Sequence, residues 1–139
     1  VARISVVGLE DVPGVAFRLF SLLGQKNVNV DIILQSIGRN NTKDITFTVG
    51  LDKLEEAMDV LHKAYPSTEI SYNDNVSKVS IVGSGMQSNA GVAAKMFEAL
   101  YSAGINIKMI STSEIKISVL NDKKDTDKAV EYIHDAFIR

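Results

Sequence analysis

The stretch Ile4-Ser5-Val6-Val7-Gly8 returns in the second half of the chain as Val79-Ser80-Ile81-Val82-Gly83. A loop follows each copy, and then a second shared stretch begins, which is Gly14-Val15-Ala16 in the first half and Gly91-Val92-Ala93 in the second. Self-similarity over such an interval indicates that one structural unit occurs twice. We therefore interpret the chain as a tandem pair.

The register of the repeat holds at an offset of 77 residues as far as Asn29 and Asn106 and somewhat beyond. Further on, an offset of 70 aligns Asp44-Ile45-Thr46-Phe47 with Glu114-Ile115-Lys116-Ile117. The shorter offset predicts that the second copy has lost seven residues between its middle strands.

Hydrophobic spacing within each copy alternates between two and about 3.6 residues, which predicts strand, helix, strand, strand, helix. Only the first copy continues into a closing strand, Glu69-Ile70-Ser71-Tyr72. We predict an α+β chain of two ferredoxin-like βαββαβ units, residues 1–74 and 75–139, the second without its fourth strand. Folded proteins normally cover an unpaired edge. The missing strand is expected from sequence before Val1, after Arg139 or from a partner chain.

Apolar residues at helical spacing predict which helix faces are buried. Each first helix stops near a glycine, Gly24 or Gly104, where a left-handed end residue is expected. The predicted buried faces comprise Ala16, Leu19, Phe20 and Leu23; Leu54, Ala57, Met58 and Leu61; Ala93, Met96, Phe97 and Leu100; and Ala129, Val130 and Ile133.

Composition excludes several classes of function. The 139 residues include fifteen Lys and Arg against seventeen Asp and Glu, a net charge of −2 without a block of like charge. Neither a nucleic-acid partner nor a membrane partner is supported by this balance. The lack of Cys removes disulfides and thiolate chemistry, and a cytoplasmic location is the default expectation. The start at Val1 suggests a processed or excised piece.

The loop before the first helix is the main candidate ligand site. Pro13 lies in the opening turn, and Gly14 lets a ligand approach the backbone. Free N–H groups at a helix start suit a small carboxylate, and Asp11 could pair with an ammonium group. The pattern alone favours the alternative that Asp11 only caps the helix. Ser88 and Asn89 offer either role in the second copy.

Polar residues on the second strand are further candidates. Alternation predicts that Asn29, Asp31 and Gln35 share one sheet face, and that Val30, Ile32 and Leu34 share the other. A solvated face explains this pattern at least as well as a site does. Asn29 has a repeat counterpart in Asn106, beside the loops, which suggests a shared structural or binding task.

Catalytic patterns are weak. His62 and His134 occupy matching helix positions in different copies and are predicted to be surface residues rather than metal ligands. Gly83-Ser84-Gly85-Met86 lacks the further residues of a dinucleotide or phosphate loop. No catalytic triad or paired acid can be assembled, so binding is favoured over turnover.

Three stretches resemble a known family: Asp44-Ile45-Thr46-Phe47-Thr48, residues 77–86 (SKVSIVGSGM) and residues 110–120 (ISTSEIKISVL). On these stretches the chain resembles the C-terminal regulatory region of aspartate kinase, a tandem pair of ACT domains. The resemblance spans essentially all 139 residues. It implies feedback control of the first step from aspartate toward lysine, threonine and methionine, with lysine, threonine or both as effectors.

The same resemblance implies a homodimer formed through ACT domains, with the effector held between units of two chains. The partner would be the aspartate kinase catalytic domain or alpha subunit, which uses ATP and Mg, so that no cofactor, metal or catalytic residue is expected in this segment. In the family the first ACT unit is inserted into the second, whose remaining strand would precede this stretch. The implied effector-binding residues are Asp11, Gly14, Val15, Ala16, Asn29, Gln35, Thr46, Gly91, Val92, Asn106, Ile107, Thr112, Ser113 and Glu114.

Two departures weaken the second set, since Ala90 and Ala93 stand where the family often has proline and threonine. An ACT sensor of another metabolic enzyme is the alternative. An acylphosphatase-like hydrolase is less favoured, because neither loop carries Arg or Lys and the first carries Glu10 and Asp11. An RNA-binding module would stack bases on central-strand aromatics, and Phe47 alone is aromatic there.

Overall fold

A computed structural model describes residues 1–38, 40–83, 90–113 and 115–138. The chain divides into two compact units, Val1–Asp74 and Asn75–Arg139. Each unit is described separately below.

The first unit is a four-stranded antiparallel sheet with two helices. Its strands lie in the order β2-β3-β1-β4, with every neighbouring pair antiparallel. This is the ferredoxin-like βαββαβ arrangement, and it confirms the predicted fold class. The elements are β1 (Ala2–Glu10), α1 (Val15–Gln25), β2 (Val30–Ile37), β3 (Thr42–Val49), a 3₁₀ turn at Leu51–Lys53, α2 (Leu54–Ala64) and β4 (Glu69–Asn73).

The core of the first unit lies between the two helices and one face of the sheet. Leu19 and Leu23 of α1 pack in one cluster with Ile4 of β1 and Phe47 of β3. The rings of Phe20 and Phe47 meet edge to face with their centroids 5.5 Å apart, the geometry that aromatic quadrupoles favour. The predicted buried face of α1 is therefore confirmed.

The second unit has three described strands and two helices. Its strand order is β5-β7-β6, again antiparallel. Within the described residues β5 pairs only with β7, whereas its counterpart β1 pairs with both β3 and β4. The predicted βαββα order is confirmed, and the source of a fourth strand stays a prediction. The elements are β5 (Val76–Val82), α3 (Ala90–Ser102), β6 (Met109–Thr112), β7 (Lys116–Asp122), a 3₁₀ turn at Lys123–Asp125 and α4 (Thr126–Ile138).

The helices of the second unit bury the predicted faces with one exception. Met96 of α3 and Ala129 and Ile133 of α4 belong to the core cluster. Val130 is 51% exposed, so its predicted burial is wrong. The core-facing stripe of α4 instead runs at four-residue intervals through Ala129, Ile133 and Phe137, which places Val130 on the flank of the helix.

Strand pairing corrects the predicted offset between the middle strands. Ser5 pairs with Thr46 in the first unit, and Ser80 pairs with Ser118 in the second. Each pair is joined by a hydroxyl hydrogen bond, of 3.1 Å and 2.7 Å respectively. Since Ser5 and Ser80 are equivalent, Thr46 corresponds to Ser118, an offset of 72 rather than 70. The second copy is therefore five residues shorter in this region, not seven.

The first helix of each unit is followed by a left-handed residue at the same repeat position, which is Asn27 in the first unit and Gly104 in the second. Gly24 lies inside α1, and the left-handed residue is Asn27, with φ 56°. The prediction for Gly24 is therefore wrong, whereas Gly104 is left-handed as predicted, with φ 72°. The amides of Val28 and Ile105 then close equivalent hydrogen bonds back to the helices, at 3.0 Å and 2.9 Å. Asn is the residue that most readily replaces Gly in this conformation, because its short polar side chain can bond locally.

Candidate functional site

The loop between β1 and α1 begins at a bulge in β1. The pairing with β3 shifts between Val6 and Leu9, and Gly8 within this step has φ 79°. The Gly8 amide donates a 2.9 Å hydrogen bond to the Asp44 carboxylate. One extra residue thus bends the end of β1, and Asp44 holds the bend in place.

Asp11 is fixed by contacts other than a helix cap. Its amide donates to the Asn41 carbonyl at 2.9 Å, and its carboxylate lies 3.5 Å from the Lys43 ammonium. The first residue before α1 is Gly14, with φ 93° and no side-chain capping hydrogen bond. The interpretation that Asp11 caps the helix is therefore wrong. Its side chain stays 45% exposed and can still meet a ligand, in competition with Lys43.

The entrance to α1 is consequently made of backbone. The side chains of Val15 and Ala16 pack against the core of the first unit, so any contact they make with a ligand in the loop is through their amides. Those first-turn amides receive no side-chain cap and carry the partial positive charge of a helix start. An exposed Gly14 adds no side chain over them. This arrangement can bind a carboxylate.

A bulge in β2 corrects the predicted sheet faces. Val30 pairs with Val49 and Ile33 with Phe47, so that Asp31 and Ile32 together oppose Thr48. At this bulge the Ile32 amide donates a 3.0 Å hydrogen bond to the buried side-chain hydroxyl of Thr48.

The extra residue moves the rest of β2 onto the other face. Gln35 pairs with the core residue Ile45 and therefore shares the face of Val30, not that of Asp31. The expectation that Asn29, Asp31 and Gln35 share one face is wrong.

The predicted residues of the first unit fall into two groups at opposite ends of the sheet. Glu10 of β1 pairs with Thr42, beside the loop that holds Asp11 and Gly14, and Gln35 lies toward this end. Asn29 precedes β2 at the other end, where Val30 pairs with Val49. At about 3.3 Å per residue, Asn29 and Gln35 are roughly 20 Å apart along the strand. The Thr46 hydroxyl is hydrogen-bonded to the Ser5 hydroxyl. Leu34 pairs with Thr46 and lies on the same face of the sheet.

The second unit shows the same division. Gly91 and Val92 lie in the first turn of α3, whereas Asn106 and Ile107 lie between the end of α3 and the start of β6. Ile107 packs against the core and Asn106 is exposed. Thr112 is the last residue of β6. The Ser113 amide donates a 2.7 Å hydrogen bond to the Lys116 carbonyl. Glu114 lies outside the described residues, as do Ser88, Asn89 and residues 84–86 of the glycine-containing stretch.

Lys43 is a buried neighbour of the candidate site that periodicity does not reveal. It is 8% exposed and pairs across the sheet with Leu9, on a strand read only for its apolar residues. A cation at a buried strand position needs an anionic partner. That requirement could have drawn attention to the Asp11–Lys43 pair before the structure was known.

His62 and His134 are both exposed, as predicted for surface residues. Across residues 1–38, 40–83, 90–113 and 115–138 no three His, Asp or Glu side chains gather as metal ligands would. Among the helices described, none has the length and apolar character needed to cross a bilayer.

Comparison with known proteins identifies the family. The sequence model of the ACT domain family matches residues 4–65 and 79–137. An aspartate kinase of Pseudomonas putida is 45% identical over 139 residues, covering 98% of this chain and 34% of that protein. The chain thus spans about a third of the length of the curated relatives it matches.

Solved structures extend the match to separate regulatory chains. The regulatory subunit of aspartate kinase from Thermus thermophilus, in its ligand-free form, superposes with a TM-score of 0.91 and 37% identity, covering 98% of this chain and 91% of that one. A chain from a structure of aspartokinase alpha and beta subunits superposes with a TM-score of 0.88 and 44% identity, covering 99% of this chain and 93% of that one. This chain belongs to the ACT domain family, among the tandem ACT regulatory regions of aspartate kinases.

Proposed function

We propose, on the premise of that membership, that the chain senses an amino acid and transmits its binding to an aspartate kinase catalytic domain or alpha subunit. The effectors would be lysine, threonine or both, end products of the route that aspartate kinase opens. The chain would act in the cytoplasm, where a kinase that uses ATP and free aspartate works. The single observation that carries the proposal is the uncapped start of α1 behind Gly14, beside the exposed carboxylate of Asp11.

The chemistry of that loop suits the head group of an amino acid. First-turn amides attract the carboxylate, and Asp11 attracts the ammonium group. The Asp11–Lys43 pair is half exposed on the Asp11 side, so it contributes about 1 kcal/mol or less. A ligand ammonium group can therefore share the exposed side of the Asp11 carboxylate with Lys43 at little cost.

The separation within each unit supports a site built from two copies. Asn29 is roughly 20 Å from the loop end of its own sheet, by the strand rise of about 3.3 Å per residue, and so cannot complete the site beside its own Asp11. A second copy that presents its Asn29 end to this loop can do so. A two-fold homodimer would form the site twice, since each copy gives one end and receives the other.

Control of the kinase then follows from linkage. An effector that binds only the assembled pair of chains stabilises that assembly. If the assembly also holds the catalytic part in a less active arrangement, binding and inhibition are the same equilibrium seen at two sites. Coupling of this kind typically amounts to about 1–3 kcal/mol.

Calorimetric titration of the purified chain with lysine, threonine, methionine and isoleucine tests the proposal, with sedimentation velocity run at each saturated state. We expect one or more of these amino acids to bind and to lower the dimer dissociation constant at least about tenfold. Asn29→Ala should weaken binding, and Gln25→Ala, which truncates an exposed amide side chain in the last turn of α1, serves as the control. Binding of none, or an unchanged dimer constant, would contradict the proposal.

A further inference from the structure

A cavity on the first unit is formed entirely within one chain. It has a volume of about 260 Å³ and is lined by Gly8, Leu9 and Glu10 of β1, Val15 and Arg18 of α1, and Tyr65 and Thr68. Tyr65 and Thr68 belong to the connection between α2 and β4. The cavity therefore lies on the β4 side of α1, whereas β2, whose approach carries Asn29, forms the opposite edge of the same sheet.

Arg18 is the main charged group of this cavity. Its guanidinium lies over the Tyr65 ring, 5.4 Å from the ring centroid, a contact that orients the planar group. In the part of the chain that the structure describes, Arg18 forms no ion pair. A planar cation held in this way presents its N–H donors in a fork that matches a carboxylate.

Glu10 supplies a charge of opposite sign on the same wall. It is exposed at the end of β1 and likewise forms no ion pair with another described residue. A multiply charged phosphate would be repelled by this carboxylate, whereas an ammonium group would be attracted. The charge arrangement therefore selects a ligand that carries both signs.

The backbone of β1 creates the space for such a ligand. Gly8 has φ 79°, and a Cβ built on it meets no atom within 4 Å, so the bulge leaves open room where a side chain would stand. Thr68 lies level with Gly8, because Glu69 pairs with Val7. Its hydroxyl adds a polar group that can donate or accept. The size is below that of drug-sized ligand sites and suits one small molecule.

We propose that this cavity is a second small-molecule site, complete within one chain, that binds a free amino acid through Arg18 on its carboxylate and Glu10 on its ammonium group. It borders the two-copy site proposed above at Val15, but it needs no residue of another chain, whereas that site needs Asn29 of a second copy. Its occupancy should not depend on protein concentration, because no second copy takes part.

Amide chemical shifts of the ¹⁵N-labelled chain test this, with each of the twenty common L-amino acids, propionate and inorganic phosphate as probes. At least one amino acid should shift the amides of Gly8, Tyr65 and Thr68 at the same apparent Kd at two protein concentrations. Arg18→Gln should weaken this binding about tenfold or more, as expected for a charge-assisted contact. Lys26→Gln, the same charge change at the far end of α1, should leave it unchanged.

Further variants separate the outcomes. Arg18→Lys keeps the charge and loses the fork, and should weaken binding by less than Arg18→Gln. Glu10→Gln should admit propionate and reduce the preference for an amino acid, whereas Glu55→Gln on α2 should not. Shifts caused by phosphate alone, equal affinity in Arg18→Gln, or no shift with any probe would each overturn the inference. Asn29→Ala, which should weaken binding at the two-copy site, should leave these shifts intact, so that either proposal can fail alone.

Discussion

The buried hydroxyl of Thr48 makes a quantitative prediction about the bulge in β2. Thr48 is fully buried, and its Oγ1 is the acceptor for the Ile32 amide at 3.0 Å. Thr48→Val keeps the shape of the side chain and removes that acceptor. A buried amide left unsatisfied costs about 1–3 kcal/mol, and the added methyl group returns up to about 0.8 kcal/mol of apolar burial. With the full methyl gain subtracted, the net loss is about 0.2–2.2 kcal/mol, with about 1 kcal/mol as the central value.

Urea unfolding followed by circular dichroism measures this loss. With a slope of about 1 kcal/mol per molar urea, at the low end for small domains, a loss of about 1 kcal/mol should lower the midpoint by about 1 M. Thr48→Ser keeps the acceptor and loses only a methyl group, and Thr46→Val removes a hydroxyl that is partly buried and whose partner Ser5 can rotate toward solvent. Hydrogen exchange at the Ile32 amide should accelerate in Thr48→Val and not in Thr48→Ser. An unchanged midpoint in Thr48→Val, with the Ile32 amide still protected, would refute the reasoning.

Three further predictions concern the helix ends and the loop. Asn27→Gly should stabilise the chain by a few tenths of a kcal/mol and Asn27→Ala should destabilise it by about 1 kcal/mol, since φ is 56° there; thermal melts with the two outcomes reversed would contradict the assignment. Lys43→Met should change the free energy of unfolding by less than about 1 kcal/mol, because Asp11 is half exposed. The same variant should tighten amino-acid binding in the calorimeter, because it frees the Asp11 carboxylate. Weaker binding would contradict a role for Asp11. Gly14→Ala meets no atom but forces a side chain to adopt φ 93°, so about 1–2 kcal/mol should be lost, and a melt equal to that of the parent chain would show that the loop relaxes.

Periodicity was sufficient to predict the order of elements, because strands and helices differ in the spacing of their buried residues. Leu19 and Leu23 on α1 and Ala129 and Ile133 on α4 were found in this way. The same spacing predicts the βαββα order of the second unit, whose described residues form the three strands β5, β6 and β7.

The bulges could not be predicted, and with them much of the candidate site. The bulge in β2 depends on Thr48, a residue of the neighbouring strand whose hydroxyl accepts a hydrogen bond from the Ile32 amide. The alternation of polar and apolar residues from Val30 to Leu34 does not indicate it. The offset error between the middle strands has a similar origin, because short aligned stretches such as Asp44–Phe47 match at more than one register until strand pairing decides. Long-range pairing, rather than local preference, sets both features.

Among the described residues β5 pairs with β7 alone, whereas β1 pairs with both β3 and β4, and this difference defines the requirements for a further strand beside β5. In the first unit β4 contributes five residues, and its Ile70 sits opposite Val6 and packs on the core. Ile81 is the counterpart of Val6 and packs on the second core. A segment that completes the second sheet as β4 completes the first would run antiparallel to β5, present one branched aliphatic residue opposite Ile81, and carry hydrophilic residues on either side of it, as Glu69 and Ser71 flank Ile70. A candidate segment can therefore be accepted or rejected as the fourth strand from its amino-acid sequence alone.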